Sequence, residues 1–416
     1  NTYVNGITRW GGEQMDNISF PQVMAYHLYE RGVGFDQAGY DYENVQRSAD
    51  YVARNGPDSA QERWEEESGY SPSSIAAEIA GLTCAGTLAA ETGHEADALI
   101  WLALADNWVN NVENWTATTT GTDRHDETPY YVRVTRDGDP DAGHLRTLAN
   151  DGPTLDERDV IDAGFLELVR LGIKPADDEV IRNSVDTVDE TIRVDAGSAA
   201  GFYRYNGDGY GERARGDVGG PWSVENKGKG RLWPLLTGER AEYELHRDDP
   251  DLDPADCLRA IQEFANSGRM IAEQVWDRQH STDYDWAFGE GTGSATPLAW
   301  SMAQYVRLAH GVSAGEPVET PAPVRERFRE QRLHEPDRSP ALRVDTEFRG
   351  DSLVVSGETT GDRVAIKSPV DRTVVDVEGT EFETTVDITR GQNQIIVAAG
   401  GTPVDTAGTT VRRLQL

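Results

Sequence analysis

Lysine is almost missing from this chain. Of 39 basic residues only four are lysine (Lys174, Lys227, Lys229 and Lys367), leaving 35 arginines against 73 acids and a net charge of −34. A chain so short of positive charge is excluded as a general nucleic-acid binder, because phosphate affinity needs clustered Lys and Arg. An anionic membrane surface is excluded as a partner on the same ground. Cysteine is as scarce. Cys84 and Cys257 are the only two and no CxxC pair occurs, so neither a disulfide framework nor a zinc site is expected. No run of 18 wholly apolar residues occurs, so no transmembrane helix is expected. Convincing HExxH, GxSxG, Walker A and dinucleotide-binding glycine patterns are all missing. No signal peptide is visible, and the chain opens on Asn1 rather than Met, so a missing upstream segment is expected.

What is present is aromatic and acidic. Ten Trp and fifteen Tyr in 416 residues suit a folded protein of two or three domains with aromatic-lined surfaces. Abundant Asp and Glu with few Lys is the look of a protein from a high-salt environment. Such a carboxylate surface repels itself, and salt screens the repulsion. Most of the acids therefore read as solvated surface, and a functional carboxylate must stand out by its local context.

Residues 1–313 read as mainly helical. Helices are expected over 18–31, 42–54, 73–92, 95–113, 155–171, 178–193, 230–246, 254–270 and 296–310, about nine in all. Ser71-Pro72 reads as an N-cap and first helical position, and Thr154-x-x-Glu157 as a capping box. The long loops 114–153 and 194–229 are rich in Gly, Asp, Trp and Tyr, where function is expected. Residues 314–340 are rich in Pro and charge and read as a linker or wrapping segment. From 341 to 416 the pattern alternates in short runs (LRVDTEF, SLVVSGE, RVAIKSP, RTVVDVE, FETTVDI, NQIIVAA, TTVRRLQL), the pattern of a small β-sandwich of immunoglobulin-like type.

Four blocks could carry chemistry. In Gln61-Glu62-Arg63-Trp64-Glu65-Glu66-Glu67 three consecutive acids sit beside an aromatic, and crowding predicts one raised pKa, which suits a general acid. The plainer reading is an acidic loop ahead of a helix N-terminus. In Ala272-Glu273-Gln274-Val275-Trp276-Asp277 the acid Glu273 is flanked by apolar residues, unlike most acids here, although a surface Glu at a helix end reads as well. Phe202-Tyr203-Arg204-Tyr205-Asn206-Gly207-Asp208-Gly209-Tyr210 interleaves rings with Arg204 and Asp208, which suits sugar recognition or a plain Gly-rich turn. Trp10-Gly11-Gly12-Glu13-Gln14-Met15-Asp16 precedes the first helix and is weak alone. Asp137-Gly-Asp139-Pro-Asp141 has alternating acids and is the one candidate for a structural calcium ion, but it lacks the later Glu and the placed Gly of a calcium loop and reads as solvated.

Together these blocks, with RDVIDAGFLELVRLGIKPADD, GKGRLWPLLTGERAEYEL and GTGSATPLAWSMAQYVRL, resemble glycoside hydrolase family fifteen, the glucoamylases and glucodextranases, in its bacterial and archaeal branch. The resemblance implies an (α/α)6 barrel over residues 1–313, with Glu65 as general acid and Glu273 as general base. It implies that Glu66, Trp10, Gln14, Asp16, Trp64, Arg204, Asp208, Trp233 and Trp300 bind the sugar. The implied reaction is inverting release of β-glucose from the non-reducing ends of an α-glucan, with no cofactor required. Glucodextranase or trehalase activity on the same fold is the alternative, and a non-catalytic carbohydrate-binding protein is the rival. The family's barrel has twelve helices, an upstream Arg-Asp motif and, in many prokaryotic members, an N-terminal β-domain. Only nine residues precede the WGGEQMD block here. The first helices are therefore expected to come from an upstream segment or a separate chain, or to be missing by natural truncation.

Overall fold

The computed structural model describes residues 11–35, 41–121, 128–196, 199–213, 228–278, 284 and 286–416. Trp10 lies outside them. Residues up to 314 are dominated by helices: α1 (Met15–Glu30), α2 (Tyr42–Asn55), α3 (Pro72–Glu91), α4 (Glu95–Val109), the short α5 (Val112–Thr116) and α6 (Leu166–Arg170), then α7 (Glu179–Thr191), α8 (Pro234–Glu244), α9 (Pro254–Phe264) and α10 (Ala299–Ala314). Short antiparallel hairpins interrupt them at 145–147 with 154–156, at 193–196 with 199–202, and at 212–213 with 228–229.

Local chemistry sets the ends. Asp41 and Asn44 form a reciprocal capping box at α2, and Asp178 accepts from Val180 N and Ile181 N at the start of α7. Pro72 opens α3 as expected, but the Ser71 hydroxyl makes no cap bond. Small residues let α3 run through the middle of the helical core. A Cβ on Gly81 would come within 3.0 Å of the Ser19 carbonyl of α1, and one on Gly86 within 2.7 Å of Leu102 of α4. α3 is long and apolar enough to cross a membrane, yet 89% of that window is buried inside the protein.

One expected helix is largely something else. Residues 154–156 are a strand, 157–159 a 3-10 turn, and helix forms only at α6. Glu157, expected to cap a helix, accepts instead from Arg136 N at 3.1 Å and Arg146 Nε at 3.0 Å. Asn206 Oδ1 takes Ile161 N at 2.8 Å, and Asp162 bridges to Tyr205. These contacts from distant residues outcompete the local propensity of 155–165.

The segment after α10 crosses back over the helices. It holds α11 (Ala322–Arg325) and a π turn at Glu326–Glu330, with Val324 and Phe328 buried. Seven strands follow: β1 (Leu342–Arg349), β2 (Ser352–Thr359), β3 (Arg363–Lys367), β4 (Arg372–Asp376), β5 (Glu381–Asp387), β6 (Gln394–Gly400) and β7 (Thr409–Gln415). They form two antiparallel sheets, ordered β5-β2-β1 and β4-β3-β6-β7. Alternation decides which side chain goes where. Val364, Ile366, Ile395 and Val397 point into a core shared with Leu353, Val355 and Phe382 of the other sheet. Ala365, Ile396, Ala398 and Val411 join the core of the helical part, where the sheet lies on α4.

Buried ion pairs fix that docking. Arg327 donates to both Asp106 oxygens at 2.6 Å, and Thr409 Oγ1 donates to the same carboxylate. Lys367 and Arg372 both reach Asp50, at 2.8 and 2.6 Å, and Arg372 also pairs with Asp97.

Candidate active site

The loop between α2 and α3 carries the acidic block. Glu65 adopts φ +64°, a left-handed conformation that a non-glycine residue holds only when its surroundings impose it. Its N–H donates to Glu62 O at 2.8 Å and its carbonyl accepts from Gln61 Nε2 at 3.0 Å. Next to it, Trp64 is buried, with Nε1 donating to Asp162 Oδ2 at 3.2 Å. Its ring meets Trp233 at 5.4 Å and Trp300 at 5.6 Å between centroids.

Glu66 and Arg204 join this loop to the aromatic one. Glu66 accepts from Arg204 at 2.8 Å, Arg133 at 3.0 Å, the Tyr205 hydroxyl at 2.5 Å and Asn150 at 3.0 Å. Burial alone would raise its carboxyl, but the Arg204 and Arg133 guanidinium groups outweigh it and hold the pKa below the ordinary range. The crowding expectation thus fails at Glu66, because arginines are threaded between the acids. Glu62 faces Arg133 at 2.8 Å and Glu67 faces Arg146 at 2.6 Å.

Arg204 holds Asp208 with two bonds of 2.7 Å. Its guanidinium stands 5.2 Å over Trp64, 4.9 Å over Tyr210 and 5.3 Å over Trp233. Trp233 is buried at the N-cap of α8, its amide bonded to Phe202 O. A Cβ on Gly230 would sit 2.6 Å from Asp208 Oδ2, so the chain passes against that carboxylate at a position only glycine fits.

Glu273 lies on a β-bridged loop after α9, its amide donating to Ala295 O at 2.9 Å. The carboxyl accepts from the Tyr210 hydroxyl and from Gln274 Nε2 at 3.4 Å. Burial pushes its pKa above the ordinary carboxylate range, and the two donors pull against that rise. Tyr210 thereby links Glu273 to Arg204 and Asp208.

Glu65, Gln14, Asp16 and Trp300 line a cavity of about 730 Å³, together with Arg63. Glu273 is not among its lining residues. Gln14 donates to Glu62 O at 3.4 Å, which fixes the start of α1 to the acidic loop. Asp16 accepts from Asn17 N at 2.7 Å, and burial raises its carboxyl to about 6. The same cavity runs on between α1 and α10, past Met24, Glu167 and Arg307.

Apart from Trp10, the residues implied to act on or bind the sugar lie along one chain of contacts, from the cavity of Glu65, Gln14, Asp16 and Trp300 through Trp64, Glu66, Trp233, Arg204 and Asp208 to Tyr210 and Glu273. Two participants were missed, and a third, Tyr210, was read only as a ring of the aromatic block. Arg133 bridges Glu62 and Glu66, Asp162 anchors Trp64, and Tyr210 contacts Glu273. An Arg between two valines, in Tyr131-Val132-Arg133-Val134, was the one available signal for the first. The candidate calcium acids are otherwise engaged. Asp141 accepts from Thr118, Thr119 and Thr120, Asp137 pairs with His144 at 3.0 Å, and no three His, Cys, Asp or Glu side chains converge as a metal site among the described residues.

The family model for glycosyl hydrolases family 15 matches residues 1–310. Over 310 residues the chain is 40% identical to the glucoamylase of Clostridium sp. (strain G0005), covering 74% of this chain and 40% of that protein. The structure is similar to a bacterial glucoamylase complexed with acarbose, with a TM-score of 0.70 and 38% identity, over 79% of this chain and 45% of that one. A family 15 glucoamylase from Hypocrea jecorina aligns at 13% identity with a TM-score of 0.49, over 99% of this chain and 78% of that one. The chain spans less than half the length of the first two relatives. With three quarters of its sequence matched to one family model and one glucoamylase, the chain belongs to glycosyl hydrolases family 15.

Proposed function

We propose that this chain carries the acid–base machinery of an inverting, exo-acting α-glucoside hydrolase that releases β-glucose from the non-reducing ends of an α-glucan. The observation that carries the reading is the junction of the two candidate carboxylate loops. Trp64-Glu65-Glu66 is bound to Arg204–Asp208, which reaches Glu273 through Tyr210.

In this reading Glu65 gives its proton to the glycosidic oxygen as the bond to C1 breaks. Glu273, ionised, takes a proton from a water that attacks C1 from the opposite face. The sugar leaves as the β-anomer, Glu65 ends as carboxylate and Glu273 as acid, and solvent restores both. Inverting pairs stand ~6.5–9.5 Å apart to admit that water. A carboxylate raised by burial is the stronger base for the task. Trp64, Trp233 and Trp300 offer apolar faces to a pyranose ring, with Trp10 as a fourth. Gln14, Asp16, Glu66, Arg204 and Asp208 supply hydrogen bonds to hydroxyls.

The helices up to 313 are read as part of an (α/α)6 barrel, completed by an upstream segment or a separate chain, with 314–340 as wrapping segment and 341–416 as an immunoglobulin-like sandwich. The strand order β5-β2-β1 against β4-β3-β6-β7 supports the last assignment.

The test compares Glu65→Gln with Glu273→Gln on maltose and on α-glucosyl fluoride, following the product anomer by NMR. Each group is worth ~10²–10⁴-fold. Glu65→Gln should be severe on maltose and milder on the fluoride, whose leaving group needs little protonation. Glu273→Gln should be severe on both, and the parent should yield β-glucose first. Equal, mild losses on both substrates would overturn the roles. A chain that binds maltose without turnover would favour the carbohydrate-binding rival.

A further inference from the structure

The loop that carries Glu65 also carries an arginine whose donors are not used up. A turn closed by the bond from Glu65 N to Glu62 O puts Arg63 and Trp64 at its two central positions. Arg63 lines the cavity of about 730 Å³ beside Glu65, Asp16 and Trp300. Its side chain is only 4% exposed. The guanidinium carbon stands 4.6 Å from the Trp64 ring centre and 5.1 Å from that of Trp300. Nη2 donates to both oxygens of Glu239 on α8, at 2.9 and 2.8 Å. The group is thus fixed by a carboxylate at one end and by two rings beside it.

Those two are its only hydrogen bonds among the described residues. Nε is enclosed with no partner, and Nη1, which also has none, is not enclosed. A guanidinium carries five N–H donors, and one left unpaired in a buried side chain costs free energy until an acceptor reaches it. Arg133 and Arg231 also hold buried N–H groups without partners, but neither lines the cavity. The charges around the cavity decide what acceptor fits. Its other arginines are each opposed by an acid: Arg31 by Glu30 at 3.8 Å, Arg170 by Glu167, and Arg307 by Glu319 at 2.8 Å. No Lys or Arg among the described residues forms an ion pair with Glu65 or Asp16, which share the wall. An anion entering would meet those two carboxyls with no uncommitted arginine to offset them. A neutral, hydroxylated ligand would meet a free donor, two carboxyls and the face of Trp300.

We propose that Arg63 is a substrate ligand that selects for one sugar hydroxyl: Nη1 donates to a hydroxyl of the glucosyl unit lying against Trp300. The inference rests on the α-glucoside reading above, which supplies the identity of the sugar. A hydrogen bond from a charged donor is stronger than one between neutral groups, and a guanidinium held by Glu239 and two rings loses little freedom in making it. Arg63 touches neither the departing oxygen nor the attacking water in that mechanism. Its bond is made in the ground state and in the transition state alike, so it acts on KM and leaves kcat nearly unchanged.

The test measures Kd by tryptophan fluorescence, and KM and kcat alongside, for methyl β-maltoside and its monodeoxy derivatives on the whole chain. Arg63→Met should raise Kd and KM roughly 10–100-fold, the range of one hydrogen bond from a charged group, with kcat held within a few-fold. Arg349→Gln, on the outer sheet, should change none of them. One deoxy derivative should bind the parent weakly and lose nothing more in Arg63→Met. Arg63→Met combined with Glu239→Gln leaves no lone buried carboxylate, and it carries the same expectation if the single change fails to fold. An unchanged Kd in either variant would overturn the assignment, as would an equal further loss for every derivative, the mark of a purely structural arginine. So would a parent that binds no maltoside. Because Kd is read without turnover, failure of the roles given to Glu65 and Glu273 would leave a positive result standing. Full turnover with an unchanged Kd in Arg63→Met would remove Arg63 alone.

Discussion

The Tyr210 hydroxyl donates to Glu273 while its ring lies under Arg204. Tyr210→Phe keeps the ring and removes the donor, so the buried carboxylate loses support and its pKa climbs further. A general base works ionised. The acid limb of kcat/KM should therefore move to higher pH, with the high-pH plateau retained within a few-fold. A limb that stays in place would show that the hydroxyl does not tune this carboxyl. Asp16 offers a second titration, read in stability. Its folded pKa of about 6 exceeds the ordinary aspartate value of 3.8, so folding favours the protonated form. That contribution is complete below pH 3.8 and is lost as pH rises through about 6. Asp16→Asn should accordingly gain on the parent between pH 3.5 and 7.5, by on the order of 3 kcal/mol in denaturant melts. An identical pH slope in the two proteins would contradict this. Residues at this scale were legible when motif neighbours act together, as in Trp64-Glu65-Glu66 and Arg204–Asp208. Arg133 was not, because its carboxylate partners lie 67 and 71 positions away and nothing beside it in the chain announces them.

Among the elements, α3 shows what small side chains do. Gly86 sits against Leu102 with no room for a β-carbon. Gly86→Val should force α3 and α4 apart and cost about 1–3 kcal/mol by thermal unfolding. A neutral result would mean that the two helices have slack. The same pattern of Ala, Gly and one Cys made α3 readable as a closely packed helix. The seven alternating runs after 341 were equally readable, since a two-residue period has one physical meaning when turns bound it. Residues 155–165 were misread because Thr154 and Glu157 satisfy a local rule whose partners are drawn off by Arg136 and Arg146. The π turn at 326–330 had no local signature either. It follows from packing, with Phe328 and Arg327 both turned inward.

For the whole molecule, charge is the governing quantity. With a net −34, repulsion across the surface should weaken as salt rises, and melting temperature should climb from dilute buffer to molar KCl. A flat response would show that the acids are held too far apart to matter. The ion pairs that join the wrapping segment and the sandwich to the helices belong to a different class. Arg327–Asp106 and Lys367–Asp50 are withdrawn from solvent, so salt screens them little.

That junction has a temporal side. α4 is covered by α3 on one flank and by β3, β6 and β7 on another. The carboxylates at the junction wait for partners made much later: Asp106 of α4 for Arg327, 221 positions on, and Asp50 of α2 for Lys367, 317 positions on. Until β3, β6 and β7 emerge, an apolar flank of α4 faces water, and Asp50 and Asp97 keep only their neutral donors Trp101, Tyr42 and Gln46. Contacts so distant along the chain close slowly, because the loop entropy must be lost before they reward it. The helical part therefore reaches its native packing only after β7 has left the ribosome, and its most vulnerable interval is the one just before.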